Sequence, residues 1–322
     1  MSRRVVRRAF CRPRSAGVTL VELLVVFSVI GLLTALLIPA VQGAREASRR
    51  VRCASNLRQL GIALASYQGA FGSFPGGGNG RGFSLHGMLL PYFEQVPLYN
   101  GINFAVSSRE EGPDSPNFTA ISTRLDVLAC PSQPAIPLLN IGTTNYAGSL
   151  GVNRRNSVDN GGFSLWSPHP TTPADFRDGL GTTVMISEWI LSPINPQVAD
   201  RRGLVFDITQ EYAGPSNLDR FADACGGLNS NTARMGTDQQ GHNWLKGGYI
   251  YTLYNHVLNI NQPSCMVEGA VQQGGFSAGS RHPAGANSLF GDGHVLFGVN
   301  SRSREIWRAI GTRDGGEVIT LD

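Results

Sequence analysis

Residues 17–41 read GVTLVELLVVFSVIGLLTALLIPAV, and the architecture follows from this stretch. From Val18 to Val41 only Glu22 is charged, and Thr19, Ser28 and Thr34 can return their hydroxyls to helix carbonyls. A helix rising 1.5 Å per residue needs about 20 apolar residues to cross a bilayer, so this run is long enough. Before it lie Arg3, Arg4, Arg7, Arg8, Arg12 and Arg14 and no acid, which favours a cytoplasmic N-terminus. Arg45, Arg49, Arg50 and Arg52 follow on the far side, so the asymmetry is modest. A cleaved secretory signal would have a shorter apolar region, and Val41-Gln42-Gly43 is a poor small-residue site. A plain anchor explains the hydropathy but gives Glu22 no role. A carboxylate near the end of an apolar helix is costly and calls for a partner.

The leader also explains the charge. The 322-residue chain carries a formal +4, and subtracting the six leader arginines (4 − 6) leaves −2. The basicity therefore says nothing about nucleic acid, and none is expected as a partner. Hydrophobic residues make up 41% and charged ones 16%, with 40 Gly and 18 Pro, which suits a loop-rich, β-containing extracytoplasmic domain better than a helical bundle. Cys11 lies in the leader. Cys53, Cys130, Cys225 and Cys265 remain, an even set that permits two disulfides in three pairings in an oxidising compartment. No C-x-x-C or Cys/His cluster appears, so no zinc site is expected.

The helical pattern continues past the membrane run. Val51, Ala54, Leu57, Leu60, Leu64, Tyr67 and Phe71 recur at three- and four-residue steps, with the charged residues mostly off this stripe. One helix from about Leu20 to Ala70, ended at Ser73-Phe74-Pro75-Gly76, should pack its outer half on the globular part. Beyond it, Leu85–Tyr99 predicts a short helix broken by Pro91 and Pro97, and Thr119–Leu128 a second. Strands are expected at Thr143–Gly148, Thr182–Glu188, Gly203–Ile208, Gly248–Leu253 and Met266–Val271. Asn287–Gly298 reads as a hairpin about Gly291-Asp292-Gly293. Ser303–Gly311 reads as a helix and Glu317–Leu321 as a last strand.

The residues Gly17-Val18-Thr19-Leu20-Val21-Glu22 closely resemble the processing motif of type IV prepilins and type II secretion pseudopilins. That resemblance implies cleavage by a prepilin peptidase after Gly17 and methylation of the new N-terminus at Val18. It makes Glu22 the assembly carboxylate that meets a neighbouring subunit's amine. Pro39 matches the kinking proline of many pilins, and Val18 stands where Phe is usual. A second resemblance covers nearly the whole chain. Ala44-Arg45-Glu46-Ala47, Cys53 with Asn56-Leu57, Gly72-Ser73-Phe74-Pro75, Leu90-Pro91-Tyr92, Cys130-Pro131-Ser132, Asn145-Tyr146, Asp178-Gly179 and Glu188 are similar to a large bacterial domain of unknown function. That domain is found behind prepilin leaders, especially in planctomycete-type genomes. Its closing signature is His282, nine residues, then Asp292-Gly293, followed by Gly311-Thr312-Arg313 and Gly315-Gly316-Glu317. This family implies an architecture and a processing route, not an activity.

The expected fold is therefore α+β. A basic leader (1–17) precedes a transmembrane helix (18–41), an amphipathic continuation of the spine (42–72) and a β-rich, loop-rich head (73–322). The expected function is a pilin-like or pseudopilin structural subunit in the cytoplasmic membrane, head outside, with prepilin peptidase and other pilin-like subunits as partners. The alternative is a membrane-tethered binding module for a glycan, envelope polymer or solute that never polymerises, using its four Trp and eight Tyr. An enzyme ranks third. His282 and Asp292, with His294 nearby, could form a metal or catalytic site. The turn geometry of Asp-Gly already accounts for Asp292, which would brace the loop carrying His282. Asp178-Gly179 reads likewise as a turn before a strand, and Glu188 beside Trp189 as a buried carboxylate. No catalytic residue and no cofactor is assigned. Any metal in the head is left open: pseudopilin heads make calcium conceivable, but no EF-hand-like loop is present. A Cys53–Cys130 bridge would tie spine to head and Cys225–Cys265 would close a 40-residue loop, with buried free thiols the other reading.

Overall fold

The computed structural model describes residues 19–78, 80–134, 136, 140–153, 160–165, 170–193, 200–209, 217–228, 235–237, 239–268 and 270–317. The leader, Gly17 and Val18 lie outside the described residues, as does most of the strand expected at Glu317–Leu321. The chain divides into two compact units, Met1–Ala47 and Ser48–Asp322, and helix α1 (Leu20–Phe71) contributes to both.

In the first unit, every described residue up to Arg45 is exposed. Leu20, Leu24, Phe27, Leu32 and Leu36 each show more than half of their surface. A continuous apolar surface of this kind is not tolerated in water, and lipid is the solvent that suits it. Ser28 Oγ and Thr34 Oγ1 donate back to the Val25 and Ile30 carbonyls at 2.8 and 2.9 Å, so their hydroxyls stay satisfied in an apolar medium.

In the second unit, α1 turns a stripe of Cys53, Leu57, Leu60 and Leu64 into the core, with Asn56, Gly61 and Ala63 beside it and Tyr67 half-buried. The ends of the expected stripe are wrong. Val51 and Phe71 are 65% and 63% exposed, and the buried seam starts at Cys53. The seam steps by four and three residues, which holds it on one face for three turns. Gly61 lets Leu289 approach the helix closely: a Cβ would lie 2.9 Å from Leu289 Cδ1, which would then have to shift. The helix ends at Gly72, whose φ of 73° is the left-handed cap conformation, with its N–H on the Gln68 carbonyl.

After α1, the proline-interrupted stretch forms α2 (Leu85–Leu89), a 3₁₀ turn (Leu90–Phe93) and α3 (Val96–Asn100). α4 (Phe118–Ser122) and a 3₁₀ turn (Asp126–Leu128) occupy the second expected helix. Next come β1 (Tyr146–Ser149), β2 (Val184–Glu188), β3 (Val205–Ile208), α5 (Leu218–Gly227), β4 (Met235–Thr237), β5 (Leu253–Tyr254), β6 (Ser264–Val267), β7 (Ala270–Gly275), β8 (Gly285–Phe290), β9 (Val295–Val299) and α6 (Arg304–Ala309). Five strands order β5-β1-β2-β8-β9, antiparallel except β1 with β5; four order β4-β3-β6-β7, with β3 and β6 parallel. The fold is mixed α+β, with a long apolar N-terminal helix and a sheet-rich head.

Two expectations on strands fail. Gly248–Leu253 is mostly turn, Gly248 having a φ of 138°, and only Leu253–Tyr254 pairs. Met266–Val271 spans the corner of the β6–β7 hairpin rather than one strand. A second small core of Phe206, Phe221, Ala222, Val257 and Leu258 lies around the Cys225–Cys265 disulfide, which ties α5 to β6.

Candidate functional site

The start of α1 is a capping box. Thr19-Leu20-Val21-Glu22 has the T-x-x-E spacing, and Thr19 Oγ1 accepts from the Glu22 N–H at 3.3 Å. In return Glu22 Oε2 accepts from the Thr19 N–H and from its hydroxyl, both at 2.8 Å. The carboxylate also sits at the positive end of the helix dipole. Glu22 therefore has a local partner that hydropathy alone did not suggest. Both Thr19 bonds fall on Oε2, and Oε1 accepts no hydrogen bond from the described residues.

The head holds a buried polar cluster assembled from four distant segments. Successive residues of β2 point to opposite faces of the five-stranded sheet. Glu188, at the end of β2, has 1% of its surface exposed and lies opposite Asn287 of β8. Its Oε2 accepts from the Asn287 N–H at 2.7 Å and its Oε1 from Asn287 Nδ2 at 3.1 Å. His282, in the segment entering β8, is fully buried, with Nε2 3.4 Å from Glu188 Oε1 and Nδ1 3.4 Å from Ser132 Oγ. Cys53 of α1 and Cys130 form a disulfide with Cα atoms 5.2 Å apart, and Cys130 Sγ is 3.8 Å from His282 Nε2. Asn145 Oδ1 accepts from the Cys130 N–H, and Tyr146 Oη donates to the Cys53 carbonyl. Burial, with the Glu188 charge behind it, pushes the Tyr146 phenol well above its ordinary range.

On the other face, Ser187 Oγ lies 2.7 Å from both Tyr254 Oη and Ser288 Oγ. Tyr254 Oη meets His256 Nε2 at 2.8 Å, and His256 Nδ1 meets the Trp307 carbonyl at 2.7 Å. The neutral imidazole thus donates from Nδ1 to Trp307 and accepts from the tyrosine at Nε2. Ser187, Tyr254 and His256 resemble a nucleophile-and-base chain, yet each is buried, so no substrate reaches them. The network joins α6 to the sheet.

The His282–Asp292 pairing suggested by the motif does not form. Asp292 is exposed in the β8–β9 turn and binds His294, accepting from its N–H at 3.1 Å and lying 2.6 Å from its Nδ1. It does not brace the loop of His282. Gly293, with a φ of 93°, supplies the turn backbone that Asp-Gly suits. The nine-residue spacing is instead the length of β8 with its flanks: one end puts His282 into the core and the other makes the turn.

Asp178 is likewise a brace rather than a catalyst. Its carboxylate accepts from the Gly315 and Gly316 N–H groups at 2.7 and 2.9 Å, pinning the segment after α6. Asp178→Ala is expected to lower head stability by about 1 kcal/mol, since charge-assisted bonds weaken at an exposed position. Urea unfolding followed by tryptophan fluorescence will read the shift.

An exposed apolar span opened by a T-x-x-E cap and followed by an α+β head defines a prepilin-type protein, anchored in the membrane by a single span. The comparisons agree: residues 12–38 match the prokaryotic N-terminal methylation motif. That motif implies processing by prepilin peptidase. Residues 42–304 match the family described as protein of unknown function (DUF1559), and the chain belongs to that family. Neither match is to a catalytic family. No curated protein and no solved structure matches the chain.

Proposed function

We propose that this chain is a pseudopilin-like structural subunit, cleaved after Gly17, methylated at Val18 and assembled with other pilin-like subunits through its N-terminal helix. The observation that carries the reading is Glu22. Its Oε2 is held by Thr19, while Oε1 accepts no hydrogen bond from the described residues. A methylated amine at Val18 of a neighbouring subunit would supply the missing donor and cancel both charges in lipid. The arginine-rich leader supports a cytoplasmic N-terminus and a head outside the membrane.

Intact mass spectrometry of the native protein tests the first step. The expected chain begins at Val18 and carries one extra methyl group. A chain that begins at Met1, or after Gly43, overturns the reading.

A further inference from the structure

We propose that Cys53, Cys130, His282 and Glu188 form a buried, redox-gated site for one zinc-class divalent cation, and that the disulfide is the closed state of that site. One ligand atom from each of the four residues lies within 4.8 Å of all the others, and all four residues are buried. Zinc holds Cys sulfur at about 2.3 Å and His nitrogen or carboxylate oxygen at about 2.0–2.2 Å, so neighbouring ligand atoms of a tetrahedron stand roughly 3.3–3.8 Å apart. His282 Nε2 is 3.4 Å from Glu188 Oε1 and 3.8 Å from Cys130 Sγ, two edges of that tetrahedron already set. The edge between the sulfurs is closed by the disulfide, and reduction opens it; the remaining edges lie within 4.8 Å.

The surroundings suit a cation. Ser132 Oγ stands at His282 Nδ1, where it can take the ring N–H and leave the Nε2 lone pair for metal. Asn287 fixes the carboxylate through both oxygens. A cavity of about 90 Å³ lined by Cys130, Gln133, Thr143 and Asn145 lies beside the cluster. Two thiolates, one carboxylate and one imidazole in tetrahedral array select zinc over calcium or magnesium.

The chemistry balances. A thiol reductant opens the bridge by exchange, its own two thiols becoming a disulfide. Both cysteines then bind Zn²⁺ as thiolates with release of two protons. In the reverse direction a dithiol in its disulfide form takes two electrons from the thiolates and two protons from water and becomes two thiols. The Cys53–Cys130 bond reforms and Zn²⁺ leaves. The oxidised state retains only His282 and Glu188, too few ligands to hold the ion.

The test uses the full chain in detergent with Cys11→Ser, Cys225→Ser and Cys265→Ser, so that only the Cys53–Cys130 pair remains, reduced by a phosphine without oxygen. Co²⁺ is the probe. Expected are one Co²⁺ per chain, thiolate-to-cobalt charge transfer with the strong visible bands of a tetrahedral site, and displacement by Zn²⁺. The oxidised protein should bind at least 100-fold more weakly. Glu188→Gln and His282→Ala should each weaken the reduced site at least 10-fold while Cys53–Cys130 still forms on oxidation. The proposal is overturned if the reduced chain, folded or not, gives no tetrahedral cobalt spectrum. It is equally overturned if both variants bind like the parent.

Discussion

Glu22→Ala is expected to leave the protein cleaved, methylated and anchored while removing it from any assembly. The physical reason is the division of labour between the carboxylate oxygens. Oε2 closes the capping box with Thr19, a bond that stays within one chain. Oε1 is the acceptor assigned to the neighbour's amine. An uncompensated ammonium at a helix start in lipid is costly, and alanine takes away its counter-charge. Thr19→Ala separates the two duties. It deletes the hydroxyl but keeps the backbone N–H, so the carboxylate and assembly should survive. Cross-linking in native membranes, followed by recovery of sheared assemblies, reads both variants. Wild-type levels of assembly for Glu22→Ala would sink the subunit reading and return the chain to the class of tethered binding modules. Equal losses for both variants would mean that Glu22 acts only as a cap.

The spine was readable because its physics is local. Hydropathy set its membrane part, and three- and four-residue steps set Leu57, Leu60 and Leu64. Val51 and Phe71 fit the stripe yet lie exposed, because apolar character does not report where a neighbouring surface stops. Helix α5 is hard to read from sequence: Leu218, Phe221, Ala222 and Cys225 carry the helical spacing and Asn217 caps it, but its Gly-Gly end and the Gly-rich context mask the pattern. The turn at Gly291–Gly293 was legible, since turn chemistry is written in adjacent residues. The buried cluster was not. Cys53, Cys130, Glu188 and His282 are separated by scores of residues, and only the pairing of β2 with β8 and the docking of α1 bring them together. The short motif spacing drew His282 toward Asp292, whereas its partner comes from the neighbouring strand.

The head is expected to lose about 4 kcal/mol of stability between pH 8 and pH 5, through two histidines that folding keeps neutral. Burial pushes the His256 imidazole down from 6.5 to about 3, opposed only in part by its bond to the Trp307 carbonyl. Burial does the same to His86, down to about 3, opposed only in part by the Tyr146 main chain. Neither ring nitrogen of His86 reaches hydrogen-bond geometry, so that main-chain influence is electrostatic rather than a formed bond. A depressed histidine contributes fully above its unfolded value of 6.5. Between 6.5 and 3 the unfolded chain binds the proton and the folded one does not, so stability falls as pH falls. At pH 5 each ring has forfeited about 2 kcal/mol, at 1.36 kcal/mol per pH unit. The carboxylates add little in this window, because Asp175, Asp200 and Asp219 are held below their ordinary range and their losses come at lower pH. Urea unfolding in detergent at pH 8, 6 and 5 measures the slope. His86→Leu should keep stability at pH 8, because it replaces a ring without hydrogen bonds by an apolar side chain, and should remove about half of the acid loss. His256→Gln should also flatten the slope, yet start lower, since an amide reproduces the Tyr254 and Trp307 bonds but not the stacking of the ring on Trp307. A wild-type stability unchanged from pH 8 to pH 5 would show that both rings accept protons within the fold. Their burial would then not govern the head's response to acid.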